Sequence, residues 1–155
     1  MRWIVLLLAA ALPVAAGDAP IDRATLRGIK GVGVVIDTLD PEVVRIGLTA
    51  NALEARIEQR LERAGVPVAK GAAEFVGLRI MQVHDKKGPY GLCISAGVYQ
   101  PVLLSRDRNV KTATATWDVQ TVVVADPKLV QEAAMASVDE LVDRFATAWK
   151  SANPK

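Results

Sequence analysis

Cys93 and His84 are the two side chains whose chemistry could support nucleophilic catalysis in this chain. They lie on neighbouring predicted strands across one turn, and Asp85 follows the histidine. A thiolate, a base and an orienting carboxylate would together make a nucleophilic site. The strand register that would bring them together does not follow from the pattern, and cysteine is among the residue types most often buried. The sequence therefore favours a chain that is not an enzyme and keeps a small thiol-dependent hydrolase using Cys93 and His84 as the alternative.

Two other patterns bear on cofactors and metals. Gly31 and Gly33 suggest a dinucleotide-binding turn, but Ile36 holds the place of the third glycine and the pair precedes a strand instead of following one. We therefore interpret these glycines as allowing close strand packing. One histidine and one cysteine in the whole chain cannot complete a four-ligand zinc site unless carboxylates or a second chain contribute. The sequence predicts neither a cofactor nor a metal.

The composition bounds the class of protein. The chain has 155 residues, of which 51% are hydrophobic and 23% charged, as in soluble globular domains and unlike disordered or collagen-like chains. Nineteen Lys and Arg residues against seventeen Asp and Glu residues give a formal net charge of +2, spread along the sequence. Such a balance predicts no nucleic-acid partner.

The first 17 residues are typical of a secretory signal peptide. Arg2 is followed by an apolar run over residues 3–12, then Pro13 and small residues up to Gly17. The apolar part is short for a membrane span, which needs roughly twenty residues, and no cysteine near its end could receive a lipid. We expect cleavage after Ala16 or Gly17, one α/β sandwich domain over residues 18–155, and a periplasmic or secreted location without a stable membrane anchor.

The first half of the mature chain predicts a strand and a helix. Residues 31–39 carry β-branched side chains on both faces, which favours a central strand that ends at Asp40-Pro41. A helix then begins after the capping residue Thr49 and stops at Gly65. The outward flanks of this helix carry charges segregated by sign, and the arginine flank predicts either a solvated face or a docking surface. That flank consists of Arg56, Arg60 and Arg63.

The second half predicts three strands and a final helix. The period becomes alternating from Glu74 onward, with turns near residues 85–91 and 105–111. Pro101 predicts a bend, a bulge or an unpaired edge, and Asp126-Pro127 predicts the start of the last helix. The order β-α-β-β-β-α predicts an α+β fold, a two-layer sandwich in which a mostly antiparallel four-stranded sheet carries two helices on one face. The helices should cover the face that bears Leu78, Ile94 and Trp117.

The sheet face away from the helices is the surface with most room for function. It mixes hydroxyl groups, one aromatic ring and few charges, and tyrosine is enriched at protein interfaces whereas lysine is depleted. Plain solvation is one interpretation, and a contact face for an envelope protein or a second copy of the chain is the other. The predicted face consists of Arg79, Met81, Cys93, Ser95, Tyr99, Thr112, Thr114, Thr116 and Asp118.

Several segments resemble a family of uncharacterised exported bacterial proteins. The resemblance spans most of the mature chain and implies a location in the cell envelope. The arrangement is also similar to small periplasmic α/β modules that serve as accessory parts of envelope machinery, which is an analogy of fold. The matching segments are Leu26-Arg27-Gly28-Ile29-Lys30-Gly31-Val32, Gly47-Leu48-Thr49, Leu61-Glu62-Arg63-Ala64-Gly65-Val66, Ala115-Thr116-Trp117 and residues 145–154.

Together these observations predict a non-catalytic periplasmic interaction module that acts through the open sheet face or a strand edge, without a cofactor. The prediction depends on both helices lying on one side of the sheet. A helix packed over the threonine-bearing side of the last strand would overturn it.

Overall fold

The computed structural model describes residues 17–84 and 88–154 of the chain. The predicted signal peptide, apart from Gly17, lies outside the described residues, as does Asp85. Helices and strands follow in the order α1 (Pro20–Ala24), β1 (Gly33–Ile36), α2 (Pro41–Arg45), α3 (Ala50–Arg63), β2 (Phe75–His84), β3 (Tyr90–Leu104), β4 (Asp107–Ala125) and α4 (Val130–Ala152).

The four strands form one mixed sheet in the order β1-β2-β3-β4, with β1 parallel to β2 and the other two pairings antiparallel. The predicted α+β fold with a mostly antiparallel four-stranded sheet is confirmed. The prediction that the first strand is central was wrong, because β1 lies at an edge of the sheet. Its apolar side chains have a different cause: Val34 and Ile36 pack against the core, whereas Val35 is exposed on the opposite face.

Helices α3 and α4 cover one face of the sheet and bury a single core between the layers. Trp117 of β4 and Phe145 of α4 are fully buried there, with ring centroids 5.5 Å apart and planes tilted by 55°. The opposite face carries neither of these helices, as the alternating pattern predicted.

The predicted ends of α3 are confirmed, whereas the predicted start of the last helix at Asp126-Pro127 was wrong. The hydroxyl of Thr49 accepts a hydrogen bond of 3.3 Å from the amide of Ala52, and Gly65 has a left-handed φ of 77°. Asp126-Pro127 does not cap α4, because its residues form a turn and the helix begins at Val130. The capping geometry occurs instead at Asp40-Pro41, where the Asp40 carboxylate accepts from the amide of Glu42 at 2.8 Å and begins α2.

A β-bulge divides β4 into two parts. Val98 pairs with Trp117 and Tyr99 pairs with Ala115, so Thr116 is one residue in excess on β4. Because side chains alternate along a strand, this extra residue reverses which positions face the helices. Pro101 lies beyond the bulge, where β3 pairs with β4 but not with β2, whose first residue Phe75 is opposite Tyr99. Of the bend, bulge or unpaired edge predicted at this proline, the structure shows the unpaired edge.

Candidate interaction surface

Four exposed apolar side chains stand together on the open face of the sheet. The strand register aligns Met81, Cys93 and Val122 in one row across three strands and Val83, Gly91 and Val124 in the next. This apolar patch consists of Met81, Val83, Val122 and Val124, which are 56%, 79%, 70% and 69% exposed.

The patch arises because β4 is apolar on both faces while helices cover only one. Val119 and Val123 are buried beneath α4, and the alternate residues Val122 and Val124 project to the open side. Contiguous exposed apolar side chains are uncommon on soluble monomers and mark interaction sites. The sequence analysis missed Val83, Val122 and Val124, although three consecutive valines at 122–124 are the pattern of a strand covered on both faces.

A groove of about 410 Å³ adjoins the patch on the same face. Gly77 and Gly97 lie opposite each other on β2 and β3 and form its floor. The rings of Phe75 and Tyr99 stack at one end, with centroids 5.1 Å apart and planes within 8° of parallel. A Cβ atom on Gly77 would lie 2.8 Å from Cε2 of Tyr99, so the tyrosine ring rests against the glycine.

The other side of the groove is polar and carries two carboxylates and one guanidinium. Nε of Arg79 donates a 2.7 Å hydrogen bond to Oδ2 of Asp37. This bond, together with the amide of Thr38, holds the pKa of Asp37 below its ordinary value. Ser95, Asp118 and Gln120 complete the lining. The groove therefore offers an aromatic wall, a backbone floor and hydrogen-bonding groups without a strong net charge.

The structure brings six of the predicted face residues together and separates three. Because of the bulge, Thr112 and Thr114 pair with Val102 and Gln100 on the opposite face. The hydroxyl of Thr116 accepts from Nε2 of Gln100 at 2.6 Å, beside α1. The six that share the open face are Arg79, Met81, Cys93, Ser95, Tyr99 and Asp118.

The two residues of the thiol hypothesis do not lie side by side in the backbone register. Cys93 is opposite Met81, whereas His84 is opposite Tyr90, three positions further along β2. At about 3.3 Å per residue this offset is roughly 10 Å. The side chain of His84 lies outside what the structure describes, and the thiol hydrolase stays an alternative hypothesis.

Among residues 17–84 and 88–154, no three His, Cys, Asp or Glu side chains group together as metal ligands would. In the same part of the chain, no helix has both the length and the apolar character needed to cross a membrane.

Comparison with known proteins gives remote similarities of fold. No protein-family model matches the chain, and no curated protein matches it either. A PelC dodecamer from Paraburkholderia phytofirmans is 11% identical, with a TM-score of 0.41 over 77% of this chain and 86% of its own. A minor lipoprotein from Acinetobacter baumannii is 11% identical, with a TM-score of 0.35 over 79% of this chain and 93% of its own. Similarity at this level carries no conclusion about this chain.

Proposed function

We propose that the protein is a non-catalytic interaction module of the cell envelope that acts through the open face of its sheet. The observation that carries this proposal is the apolar patch, whose four side chains are each more than half exposed on one face. The envelope location rests on the predicted signal peptide and on the resemblance of the mature chain to exported bacterial proteins.

The energetics of burial explain why this face suits a partner. Covering a Val or Met side chain completely contributes about 1.5–3 kcal/mol. The patch residues stand on β2 and β4, which both pair with β3 between them, so their backbone positions are fixed before binding. A rigid apolar surface loses little conformational entropy when a partner covers it. The groove next to the patch adds hydrogen-bonding groups that can orient the partner.

Photo-crosslinking in intact cells tests the proposal directly. We would place a photoreactive residue at Met81 or Val124 on the open face and, as the matched control, at the exposed Gln59 on α3. The proposal expects discrete crosslinked species from the two open-face positions and none from Gln59. Equal labelling from all three positions, or none from the open face, would contradict it.

Charge substitutions provide a second, independent readout. Val83→Lys places a charge in the patch without removing a buried side chain, and Gln59→Lys is its control on α3. We expect Val83→Lys to weaken the open-face crosslinks by at least ~tenfold, since a charge opposite an apolar partner must be desolvated. An unchanged crosslink pattern would show that the patch is not the contact surface.

A further inference from the structure

The outer edge of β4 exposes backbone hydrogen-bonding groups beside the apolar patch. The amide of Asp118 donates a 3.3 Å hydrogen bond to the carbonyl of Gly17, away from β3. Backbone direction alternates along a strand, so Gln120, Val122 and Val124 also turn their N–H and C=O groups to this edge. Within the part of the chain that the structure describes, no backbone group beyond Gly17 pairs with it.

This stretch of edge has none of the features that block strand pairing. Natural edge strands are protected by charges, prolines or bulges. The first part of β4 has such protection, with Lys111 and the bulge at Thr116. Residues 119–125 contain no charge, no proline and no register shift against β3. The free edge therefore runs for seven residues, close to the usual length of a strand.

The other edge of the sheet offers much less. Strand β1 has four residues, and the adjoining Val32 already bridges to Val68 in a parallel pairing. The unprotected edge and the exposed valines thus coincide in one segment, the second part of β4.

We infer that this segment pairs antiparallel with the same segment of a second copy, around a two-fold axis near Val122. The inference goes beyond the proposed function, because it uses the edge of β4 and leaves the open face available to a partner. Pairing about Val122 sets that residue opposite its own copy and Gln120 opposite Val124, and the seven positions 119–125 carry no charge. The first like charges, Asp118 and Asp126 of the partner subunit, meet just beyond this stretch. The two sheets become one continuous sheet of eight strands, and the two apolar patches join on its open face.

Two features favour a second copy over an unrelated strand. An antiparallel two-fold contact requires a segment that complements itself, and residues 120–124 are neutral, with β-branched side chains at four of the five positions. The formal net charge of the chain is only +2, so the approach of two copies meets little repulsion.

Proline and threonine at position 122 separate edge pairing from face packing. The N–H of Val122 points away from β3, so Val122→Pro removes an outward donor and spares the β3–β4 ladder. Val122→Thr keeps the backbone and the β-branched shape but makes the open face more polar. In sedimentation equilibrium we expect the parent protein at twice the mass of one chain. Dimerisation should weaken at least ~tenfold in Val122→Pro and change by less than ~threefold in Val122→Thr.

A disulfide test covers the case in which Val122→Pro fails to fold. Cys93 neighbours Val122 across the strands, so the background is Cys93→Ser. Val122→Cys in that background should form an intermolecular disulfide on oxidation, because directly paired residues have Cα atoms about 5.5 Å apart. Val83→Cys, on β2 of the same face, is the control and should remain reduced.

Each outcome decides the inference. A monomeric parent protein, dimers insensitive to Val122→Pro, or equal disulfide formation from Val83→Cys would overturn it. A monomer that still gives open-face crosslinks to another protein from Met81 would refute the second copy and leave the proposed function standing. A stable dimer that gives no open-face crosslinks would refute the proposed function alone.

Discussion

Nε1 of Trp117 donates a 2.8 Å hydrogen bond to Oδ1 of Asp18, which ties the start of the predicted mature chain to the centre of the core. Nε and Nη2 of Arg23 donate to the same carboxylate at 2.7 and 2.8 Å. The Asp18 side chain is only 7% exposed. This carboxylate therefore satisfies a buried indole that would otherwise lack an acceptor.

We expect Asp18→Asn to lower the free energy of unfolding by about 1.5–3 kcal/mol at neutral pH, the usual contribution of hydrogen bonds to a charged group. Burial alone would raise the pKa of Asp18, but the hydrogen bonds from Arg23 and Trp117 outweigh it and hold the pKa below its ordinary value. A depressed pKa gives stability that is present above the ordinary pKa and lost as the pH falls through the folded one. Urea unfolding between about pH 5 and pH 2 should show a shallower pH dependence in Asp18→Asn than in the parent. Parallel pH profiles would contradict this role of Asp18.

The bond from Asp118 to the carbonyl of Gly17 also bears on signal-peptide cleavage. Cleavage after Ala16 keeps Gly17 and its hydrogen bond to β4, whereas cleavage after Gly17 removes both. If both products form, the shorter chain should be slightly less stable. We expect urea unfolding to show a higher free energy of unfolding for a chain that begins at Gly17 than for one that begins at Asp18. Equal values would show that this hydrogen bond does not stabilise the fold.

Where the sequence analysis succeeded, the signal was local. Thr49 and Gly65 bound α3 because the residues that satisfy the helix ends lie within one turn of it. The alternation of β2 and β3 likewise reflects neighbours a few residues apart. These features were sufficient for the fold class and for six of the nine predicted face residues.

Where it failed, the cause lay in pairing between distant parts of the chain. The bulge at Thr116 depends on how β4 meets β3, and one excess residue transferred Thr112 and Thr114 to the other face. The arginine flank of α3 was predicted to be solvated or a docking surface. Instead Arg56 and Arg60 bind carboxylates of α4, 83 residues away in sequence.

Arg60 provides a test of that contact between helices. Its guanidinium donates to both carboxylate oxygens of Asp143 at 2.7 and 2.6 Å and lies 3.1 Å from Asp139. The hydrogen bond from Arg60 holds the pKa of Asp143 below its ordinary value. Because the pair is partly exposed, we expect Arg60→Ala to cost only about 1 kcal/mol of unfolding free energy, and less at high salt.

Arg63→Ala on the same helix is the control for Arg60→Ala. Among the described residues the structure shows no ion pair at Arg63, so its loss should change the free energy of unfolding by less than about 0.5 kcal/mol. A double-mutant cycle between Arg60→Ala and Asp143→Ala should give a coupling energy that accounts for most of the unfolding free energy lost in Arg60→Ala. Equal effects of the two arginine substitutions would refute the contact.

Gly77 and Gly97 differ in what an added methyl group would meet. The Cβ of Gly77→Ala would lie 2.8 and 3.1 Å from Cε2 and Cδ2 of Tyr99, whereas that of Gly97→Ala has its nearest contact at 3.4 Å. Alanine in place of glycine otherwise stabilises by about 0.4–1 kcal/mol where the backbone allows it. We expect Gly77→Ala to destabilise by about 1 kcal/mol and Gly97→Ala to be neutral or stabilising.

The effect of Gly77→Ala on the free energy of unfolding should change sign when the ring of Tyr99 is removed. In a Tyr99→Ala background the nearest remaining neighbour of the added Cβ is Cε2 of Phe75 at 3.7 Å, an ordinary van der Waals distance. Gly77→Ala should then raise the free energy of unfolding by about 0.5 kcal/mol. Thermal or urea unfolding of the four variants measures this directly. A destabilising Gly77→Ala in both backgrounds would show that the ring is not what requires the glycine.

Cys93 distinguishes the interaction module from the thiol hydrolase. The thiol is half-buried between Met81 and Val122 on the open face. We expect Cys93→Ser to change the free energy of unfolding by less than about 1 kcal/mol and to leave the open-face crosslinks intact. Attaching a bulky maleimide to Cys93 should instead abolish those crosslinks, because the adduct covers the centre of the apolar patch. If the protein is a thiol hydrolase, Cys93→Ser should instead remove its activity as completely as the maleimide adduct does.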